Sequence, residues 1–327
     1  MKQSLHSLWR KCFYLSVVAL SSHLTSFCQS DETSNFEGGF TAGPMAFMGD
    51  LGGHSGKGTT FLKDYNMNET KMSFGAFVAT YPQPWLGFRL ALNFGALSGD
   101  DADIHYKAES ASLEQARLAR NLDFRTNIVE GFVAAEIYPT VFLEDEPDDV
   151  VGRLRPYGLI GLGVFHFNPQ GLYHDATNNT SYWVDLKPLH TEGEGFAEYP
   201  NRKNYSLTQL NIPMGVGLKY YISENVNVSF EIVYRKTFTD YIDDVSTTFI
   251  DPNLFYKYLS PAQAKIADYM SNKSPYRTST PGPYGPGGIR GDASQKDAYF
   301  TTGIKMAFKI GNHDRWRNST HCPLLRF

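Results

Sequence analysis

Strict alternation of apolar and non-apolar residues is the feature of this chain that most restricts its fold. In residues 86–96 (LGFRLALNFGA), leucine and phenylalanine occupy every second position, and small or polar residues such as Arg89 and Asn93 occupy the others. Successive side chains of a strand point to opposite faces, so one face here is apolar and the other is small and polar. This pattern is typical of a strand that lies between lipid and a polar lumen.

Seven further segments carry related patterns. The eight candidate strands span residues 36–48, 71–81, 85–97, 124–138, 157–167, 207–221, 226–237 and 299–310. In the fourth segment the alternation fails between Asn127 and Glu130. We interpret this break as a β-bulge that points Glu130 and Glu136 inward.

The connections between these segments alternate in length. Short connections occur at 82–84, 140–154 and 223–225, and long ones near 49–70, 98–123, 168–206 and 238–298. An even number of strands, with short turns at one end and long loops at the other, is the arrangement of outer-membrane barrels. We therefore predict an all-β fold: a transmembrane, antiparallel, up-and-down barrel of eight strands over residues 29–311, with long extracellular loops and short periplasmic turns. The composition alone would equally suit a large soluble β-sandwich.

The two ends of the chain indicate export. Three basic residues precede an apolar run at 12–24, and small side chains near Cys28 allow a cut before Gln29, which predicts a signal peptide over residues 1–28. Residues 312–327 follow the last strand as a predicted periplasmic tail, so both termini should face the periplasm. The net charge of −4, more acidic after the cut, gives no reason to expect nucleic acid as a partner. Outer-membrane lipids are the expected surroundings.

Charged residues on the predicted inward faces indicate a filled lumen. An eight-stranded barrel has an interior only wide enough for side chains. Eight charged residues should enter it: Arg89, Glu130, Glu136, Lys219, Glu231, Arg235, Lys305 and Lys309. Because unpaired buried charges are costly and hydrogen-bonded pairs are tolerable, we predict a closed network of charges in place of a conducting pore.

The longest connection, residues 238–298, contains one predicted helix. Ser260 is a good N-cap residue, Pro261 suits the first helical position, and good helix formers continue to Met270.

An acidic group lies at the outward end of the seventh segment. Asp240, Asp243 and Asp244, with Asp251 further on, could supply oxygen ligands to a divalent cation. A solvated barrel rim is the interpretation that we favour, and we predict no metal site.

Other chemistry has weaker signals. The glycine-rich residues 52–60 lack the spacing of a phosphate-binding loop, so we predict no nucleotide or other cofactor. His166, Ser206 and Asp240 all lie near predicted outer strand ends, where a lipid-modifying enzyme would need its catalytic groups. Nothing in their spacing brings them together, and we predict no catalytic residues.

One segment resembles a known family. Residues 230–246 (FEIVYRKTFTDYIDDVS) resemble the strand-and-loop signature of the PorG-like outer-membrane proteins of Bacteroidetes, which are associated with type IX secretion. Residues 48–51, 155–163 and 322–323 fit the same family. The motif residues in this sequence are Arg235, Thr237, Asp240, Tyr241, Asp243 and Asp244.

The resemblance implies a non-enzymatic barrel of the secretion machinery that associates with the periplasmic ring formed by a lipoprotein and its partner subunit. In that case the periplasmic turns and the tail carry the contacts, and Trp316 and Cys322 are candidate contact residues. Cys322 could pair with a partner thiol or remain an unpaired residue of the tail. Two alternatives stay open: a generic surface barrel for adhesion or for passage of small hydrophobic molecules, and a lipid-modifying enzyme.

Overall fold

The computed structural model describes residues 36–51, 69–103, 111–143, 154–223 and 225–310. Strands account for most of these residues. They are β1 (Phe36–Met48), β2 (Lys71–Gln83), β3 (Leu86–Asp100), β4 (Asp123–Ile137), β5 (Leu154–His166), β6 (Gln170–Asp175), β7 (Thr180–Asp185), β8 (Thr208–Tyr221), β9 (Val226–Thr237) and β10 (Ala298–Ile310). Three α-helices join them: α1 (Ala111–Arg120), α2 (Asn253–Tyr258) and α3 (Pro261–Ser271). Within the described ranges, no helix is long and apolar enough to span a membrane.

Eight of the strands close into a barrel. Neighbours follow the order β1, β2, β3, β4, β5, β8, β9 and β10, and β10 lies beside β1 to complete the circle. The paired strands run antiparallel. The predicted eight-stranded antiparallel barrel is therefore confirmed, and the predicted strands differ from the observed ones only at their ends.

Two short strands were not predicted. β6 and β7 form a hairpin within the long connection between β5 and β8, and β6 joins the edge of β4 through the pair Arg125 and Gln170. Both strands have six residues. They are too short to show a clear alternation in the sequence.

The barrel wall has an apolar outer face. In β3, Phe88, Leu90, Leu92 and Phe94 are each about half exposed, while Arg89, Ala91 and Asn93 are buried on the opposite face. The other barrel strands continue this apolar belt with residues such as Phe40, Ile160, Val216, Phe230 and Ile304. In water such a belt would be unfavourable, whereas hydrocarbon surroundings suit it.

The predicted bulge in β4 is wrong. The register between β3 and β4 runs without a shift from the pair Leu86 and Ile137 to the pair Asp100 and Asp123. Ile128 points inward, where it joins an apolar cluster at the mouth of the barrel, and Asn127 points outward. The alternation of polarity fails because an apolar layer fills this end of the lumen, while the backbone continues unchanged.

The long connections build an ordered layer over one end of the barrel. We call this layer the cap; its described residues are 49–51, 101–103, 111–122, 167–207 and 238–297. One apolar cluster joins the cap to the barrel mouth and includes Leu97, Phe165, Phe167, Ile242 and Tyr299. A second cluster forms the core of the cap itself around α2, α3 and the β6–β7 hairpin.

Helix α3 confirms the predicted helix of the longest connection. Pro261 is the first helical residue, as expected, and Ala264, Ala267 and Met270 are buried. Ser260 does not cap the helix through its side chain, and its hydroxyl instead donates to Gln263 Oε1 at 2.7 Å.

Candidate functional site

The lumen contains most of the charged residues that the sequence placed there. Seven of the eight predicted residues are buried inside the barrel: Arg89, Glu130, Glu136, Lys219, Glu231, Arg235 and Lys305. Lys309 is exposed, so its predicted place in the lumen is wrong. Lys309 is four residues after Lys305, so its side chain should point to the same, inward face. It lies one residue before the end of β10, however, where the barrel wall no longer encloses it. The buried charges form three groups along the lumen.

The central group is built around Arg89. Its Nη2 atom lies 2.8 Å from Glu231 Oε2, and its Nε atom lies 3.0 Å from Glu136 Oε1, both at ion-pair distance without hydrogen-bond alignment. The Nη1 group donates to Glu231 Oε1 at 3.0 Å. Lys305 Nζ lies 3.1 Å from Glu136 Oε1 and 3.7 Å from Glu231 Oε2. Two cations and two carboxylates thus neutralise each other.

A second group lies toward the end with short turns. Lys219 Nζ donates to both carboxylate oxygens of Glu37 at 2.8 Å. The Tyr81 hydroxyl lies 3.2 Å from Glu37 Oε2 and from Glu136 Oε2, which links this group to the central one. Glu37 was not among the lumen residues predicted from the sequence. The alternation of side chains along β1 could have indicated it, because Glu37 lies on the same inward face as Gly39 and Gly43.

The third group surrounds Glu130, toward the cap. Asn211 Nδ2 donates to Glu130 Oε1 at 2.7 Å, and Asn93 Nδ2 donates to Glu130 Oε2 at 2.9 Å. The Tyr299 hydroxyl donates to the same carboxylate at 3.1 Å. Arg235 Nη2 lies 3.3 Å from Glu130 Oε2. Four side chains from four different strands therefore satisfy one buried carboxylate.

The charge network closes the lumen. It contains four cations, namely Arg89, Lys219, Arg235 and Lys305, and four carboxylates, namely Glu37, Glu130, Glu136 and Glu231. The cavity near Arg89 and Arg235 has a volume of only about 30 Å³, which is roughly the space of one water molecule. Paired charges and little free volume thus fill the part of the lumen around Arg89 and Arg235.

The acidic residues of the family-like motif lie in the cap and are buried. Asp240, Asp243 and Asp244 are all at most 2% exposed, so the predicted solvated rim is wrong. The cap covers this rim, and backbone or hydroxyl donors replace water. Asp243 accepts hydrogen bonds from the backbone N–H groups of Leu51 and Val245, both at 3.0 Å. Asp251, further along the chain, is half-buried.

The remaining motif residues connect β9 to the cap. Thr237 Oγ1 donates to the carbonyl oxygen of Asp297, just before β10. The Tyr241 ring stacks on the Tyr205 ring with centroids 4.6 Å apart, and the Tyr205 hydroxyl donates to Asp244 at 2.6 Å. Arg235 lies in the lumen beside Glu130. In this structure the motif fastens the cap to the barrel mouth.

Two arginines neutralise part of the buried acidity of the cap. Arg290 Nη1 lies 2.9 Å from Glu192 Oε1, and its Nη2 lies 3.9 Å from Asp244 Oδ2. Arg120 donates to both oxygens of Asp101 at 2.8 Å. Both guanidinium groups also donate to backbone carbonyl oxygens. The carboxyl groups of the cap outnumber these cations.

This excess of carboxyl groups changes their acidity. Burial, and then the nearby carboxyls of Asp244 and Glu192, raise the pKa of Glu194 to about 8. Burial also raises the pKa of Asp240 to about 7. The pKa of Asp244 rises to about 6, because burial outweighs the opposing effect of Arg290. Glu194 and Asp240 therefore retain protons at a pH where an exposed carboxyl is fully ionised.

The other candidate sites do not assemble. Among the described residues, no group of three or more His, Cys, Asp or Glu side chains has the geometry to hold a metal ion. His166 and Ser206 are exposed and each contacts Thr208, whereas Asp240 is buried and accepts from Ser246 Oγ at 2.7 Å. In the described part of the chain, no hydrogen bond joins these three residues. The glycine-rich residues 52–60 and the candidate contacts Trp316 and Cys322 lie outside the described residues.

An open cleft of about 680 Å³ lies in the cap between α1 and residues 289–295. Its walls include Arg117, Arg120 and Arg290. This volume suits a small molecule. The two guanidinium groups of Arg120 and Arg290 are already engaged by the cap itself, so they serve its packing.

Comparisons with known proteins concern the fold. No protein-family model matches the chain, and no curated protein matches it. Among solved structures, Ail, the attachment invasion locus protein of Yersinia pestis, is 8% identical with a TM-score of 0.33, covering 84% of this chain and 99% of its own. Neisserial surface protein A is 10% identical with a TM-score of 0.34, covering 85% and 100%. A major outer membrane protein from Thermus thermophilus is 10% identical with a TM-score of 0.35, covering 84% and 99%.

The strand pairing itself defines the architecture. Eight antiparallel strands close into a barrel with an apolar belt outside and a hydrogen-bonded charge network inside. This is the architecture of an outer-membrane β-barrel.

Proposed function

We propose that this protein is a non-conducting outer-membrane barrel that acts through its two ends, as an assembly component of the type IX secretion machinery. The closed lumen carries the first part of the proposal. Four buried cations face four buried carboxylates, and the cavity beside Arg89, Glu231 and Arg235 has a volume of only about 30 Å³. A protein of this kind anchors or binds other molecules and does not transport ions through its centre.

The assignment to the secretion machinery is supported by the resemblance of residues 230–246 to the PorG-like proteins. On this proposal the barrel holds a periplasmic ring, made of a lipoprotein and its partner subunit, at the outer membrane. The turns at the short-connection end and the tail after β10 would carry the contacts. Trp316 and Cys322 remain the candidate contact residues there.

Conductance measurements test the closed lumen. We expect the purified protein in a planar lipid bilayer to give no current steps, because the charge network blocks the path. A general porin inserted in the same bilayer is the positive control. Regular single-channel steps that increase with the amount of this protein would contradict the proposal.

Complementation of a gene deletion tests the secretion role. We expect the deletion to abolish export of proteins that carry the type IX signal, and the full chain to restore it. A chain shortened after Ile310 should insert but fail to restore export. A chain with Ala176–Asn179 replaced by Gly and Ser residues is the matched control, because this turn lies in the cap, and it should restore export. Normal export in the deletion strain would rule out the role.

A surface-binding barrel is the second candidate. The ordered cap favours it, because the cap exposes large apolar side chains such as Tyr256, Tyr276 and Ile289. Cells that carry Tyr276→Ser and Ile289→Ser should then lose adhesion while exporting type IX substrates normally. Loss of export with unchanged adhesion would favour the first candidate.

A further inference from the structure

The β6–β7 hairpin leaves one edge of the sheet open. β7 is the last strand in the sheet order and pairs with β6. Among the described residues, no second strand lies along its other side. An open edge offers unpaired N–H and C=O groups to any extended chain.

The hydrogen bonds between β6 and β7 show which residues of β7 point their backbone N–H and C=O groups toward the open side. The N–H group of Leu186 donates to the carbonyl oxygen of Pro169 at 2.9 Å, in register with the β6–β7 pairs. Because backbone groups of an antiparallel strand alternate between its two sides, Ser181, Trp183 and Asp185 direct theirs away from β6. The pair Arg125 and Gln170 on the far side of β6 agrees with this phase.

The two edges of the hairpin differ in how they are covered. On the β6 edge, the N–H group of Leu172 donates to Asp123 Oδ1 at 2.7 Å, and its carbonyl oxygen accepts from Lys273 Nζ at 2.8 Å. Helix α3 also packs on this hairpin, with the Tyr173 and Tyr269 rings 5.1 Å apart. On the β7 edge, the outward backbone groups have no such side-chain partners among the described residues. Residues 180–185 also include no Lys or Pro that would protect this edge. The hairpin is thus held in place with one edge available.

We infer that β7 pairs with β7 of a second copy of this chain, antiparallel and around a two-fold axis at Trp183. This register opposes Ser181 to Asp185 of the second copy, and Trp183 to its own counterpart. All three residues with outward backbone groups then find a strand residue as partner. Moving the axis by one residue would place one of them opposite residue 179 or 187, outside β7, and Asn179 has a positive φ of 51° that ends the ladder.

The side chains suit the same register. Tyr182 faces Val184 of the second copy, an aromatic and β-branched pair of the kind that stabilises antiparallel strands. The Asp185 carboxylate faces a serine hydroxyl, so no two like charges are opposed. The interface repeats the same residues on both copies, as a two-fold dimer requires. Because a six-residue ladder is small, we expect the dimer to depend on protein concentration.

Cysteine crosslinking tests the register. The background is the mature chain from Gln29 with Cys322→Ser, solubilised in detergent so that both orientations of two copies are allowed. Trp183→Cys should form a disulfide-linked dimer, because opposed residues of a hydrogen-bonded pair have Cα atoms about 5.5 Å apart. Asn178→Cys is the control, because Asn178 lies in the turn beyond β7, and the rise per residue already places the two copies of Thr180 roughly 20 Å apart. Equal crosslinking of both variants would overturn the inference.

A proline tests the backbone pairing. Ser181→Pro removes an N–H group on the open side and leaves the β6 pairing intact, whereas Ser181→Ala keeps that group. We expect Ser181→Pro to weaken dimerisation about tenfold or more in light scattering, because two hydrogen bonds are lost across the two-fold axis. Ser181→Ala should dimerise normally, and circular dichroism should show both variants equally folded. Monomers at every concentration, or Trp183→Cys adducts formed with other proteins alone, would overturn the inference.

Discussion

The lumen and the cap both bury charged side chains, but they neutralise them in different ways. The lumen opposes four cations to four carboxylates, which form direct pairs. The buried carboxyls of the cap are Asp101, Glu192, Glu194, Asp240, Asp243, Asp244 and Asp297, and its buried cations are Arg120 and Arg290. The lumen is balanced by ion pairs, whereas the cap needs protons and backbone donors.

This difference follows from what surrounds each region. The lumen lies within a closed wall, where an unpaired charge has no access to bulk water and each charge needs a partner. The cap contains long loop segments, whose free N–H groups can bind carboxylates. Ile242 N–H donates to Asp297 Oδ2 at 2.8 Å, and Ser246 N–H to Glu192 Oε1 at 2.9 Å. The barrel should therefore be insensitive to pH over a range in which the cap responds.

Removing one lumen cation should have the largest effect. Lys305→Met leaves Glu136 and Glu231 to share Arg89, and we expect a loss of about 3–5 kcal/mol in the free energy of unfolding. Lys309→Met is the matched control on the same strand and should stay within about 0.5 kcal/mol, because Lys309 is exposed. Urea unfolding in lipid vesicles measures both. Equal stabilities would show that the network does not hold the barrel together.

A methyl group between β1 and β10, the strand pair that closes the barrel, should have the next largest effect. A Cβ at Gly39 in β1 would collide with the carbonyl oxygen of Met306 in β10. We expect Gly39→Ala to destabilise the barrel by about 1–3 kcal/mol. Gly158→Ala is the control, because its Cβ would lie 3.9 Å from the nearest heavy atom, the Gly215 carbonyl oxygen, and it should be neutral or slightly stabilising. The same unfolding assay distinguishes the two, and a destabilised Gly158→Ala with a stable Gly39→Ala would contradict the geometry of this strand pair.

The pH response of the cap should be the smallest effect. The pKa of Glu194 is raised to about 8 in the folded protein. Its contribution to stability is therefore fully present at pH values below the pKa of the unfolded chain, and it is lost as the pH rises through about 8. Hydrogen exchange of cap amides should become faster as the pH rises from about 5 to about 8, by up to roughly tenfold per unit beyond the intrinsic rate, and should gain no further excess at higher pH. Amides of the barrel strands should show no such excess.

Two substitutions assign that response. Glu194→Gln should flatten it, because the amide cannot ionise. Glu198→Gln should leave it unchanged, because Glu198 lies on the same connection, pairs with Lys257 at the surface and has a lowered pKa. An unchanged pH response in Glu194→Gln would assign the effect to another carboxyl of the cap.

Much of the barrel could be predicted from local sequence. The parity of β3, β8, β9 and β10 places each side chain on the lipid or the lumen face, because adjacent residues of any strand point oppositely. The same parity would have placed Glu37 in the lumen. The prediction for Lys309 was wrong, because the alternation gives the direction of a side chain and does not show where the barrel wall ends.

The cap could not be predicted from local sequence in the same way. The acidic group Asp240 to Asp244 suggested a solvated rim, since the sequence does not show that residues 167–207 and 238–297 fold over it. The break at Asn127 suggested a bulge, because a polar lumen was expected. An apolar residue on the inward face at the barrel mouth then interrupts the alternation of polar and apolar residues. Both errors concern contacts between residues far apart in the chain.

The sequence by itself determined the eight alternating strands, the apolar face toward lipid and the presence of charges in the lumen. These features depend on a two-residue period that is local to each strand. Only the tertiary structure decided which charges pair, that the rim is covered, and that β7 is the last strand of the sheet among the described residues. Those outcomes depend on how distant strands and loops meet when the barrel closes, and local periodicity carries no information about distance in space.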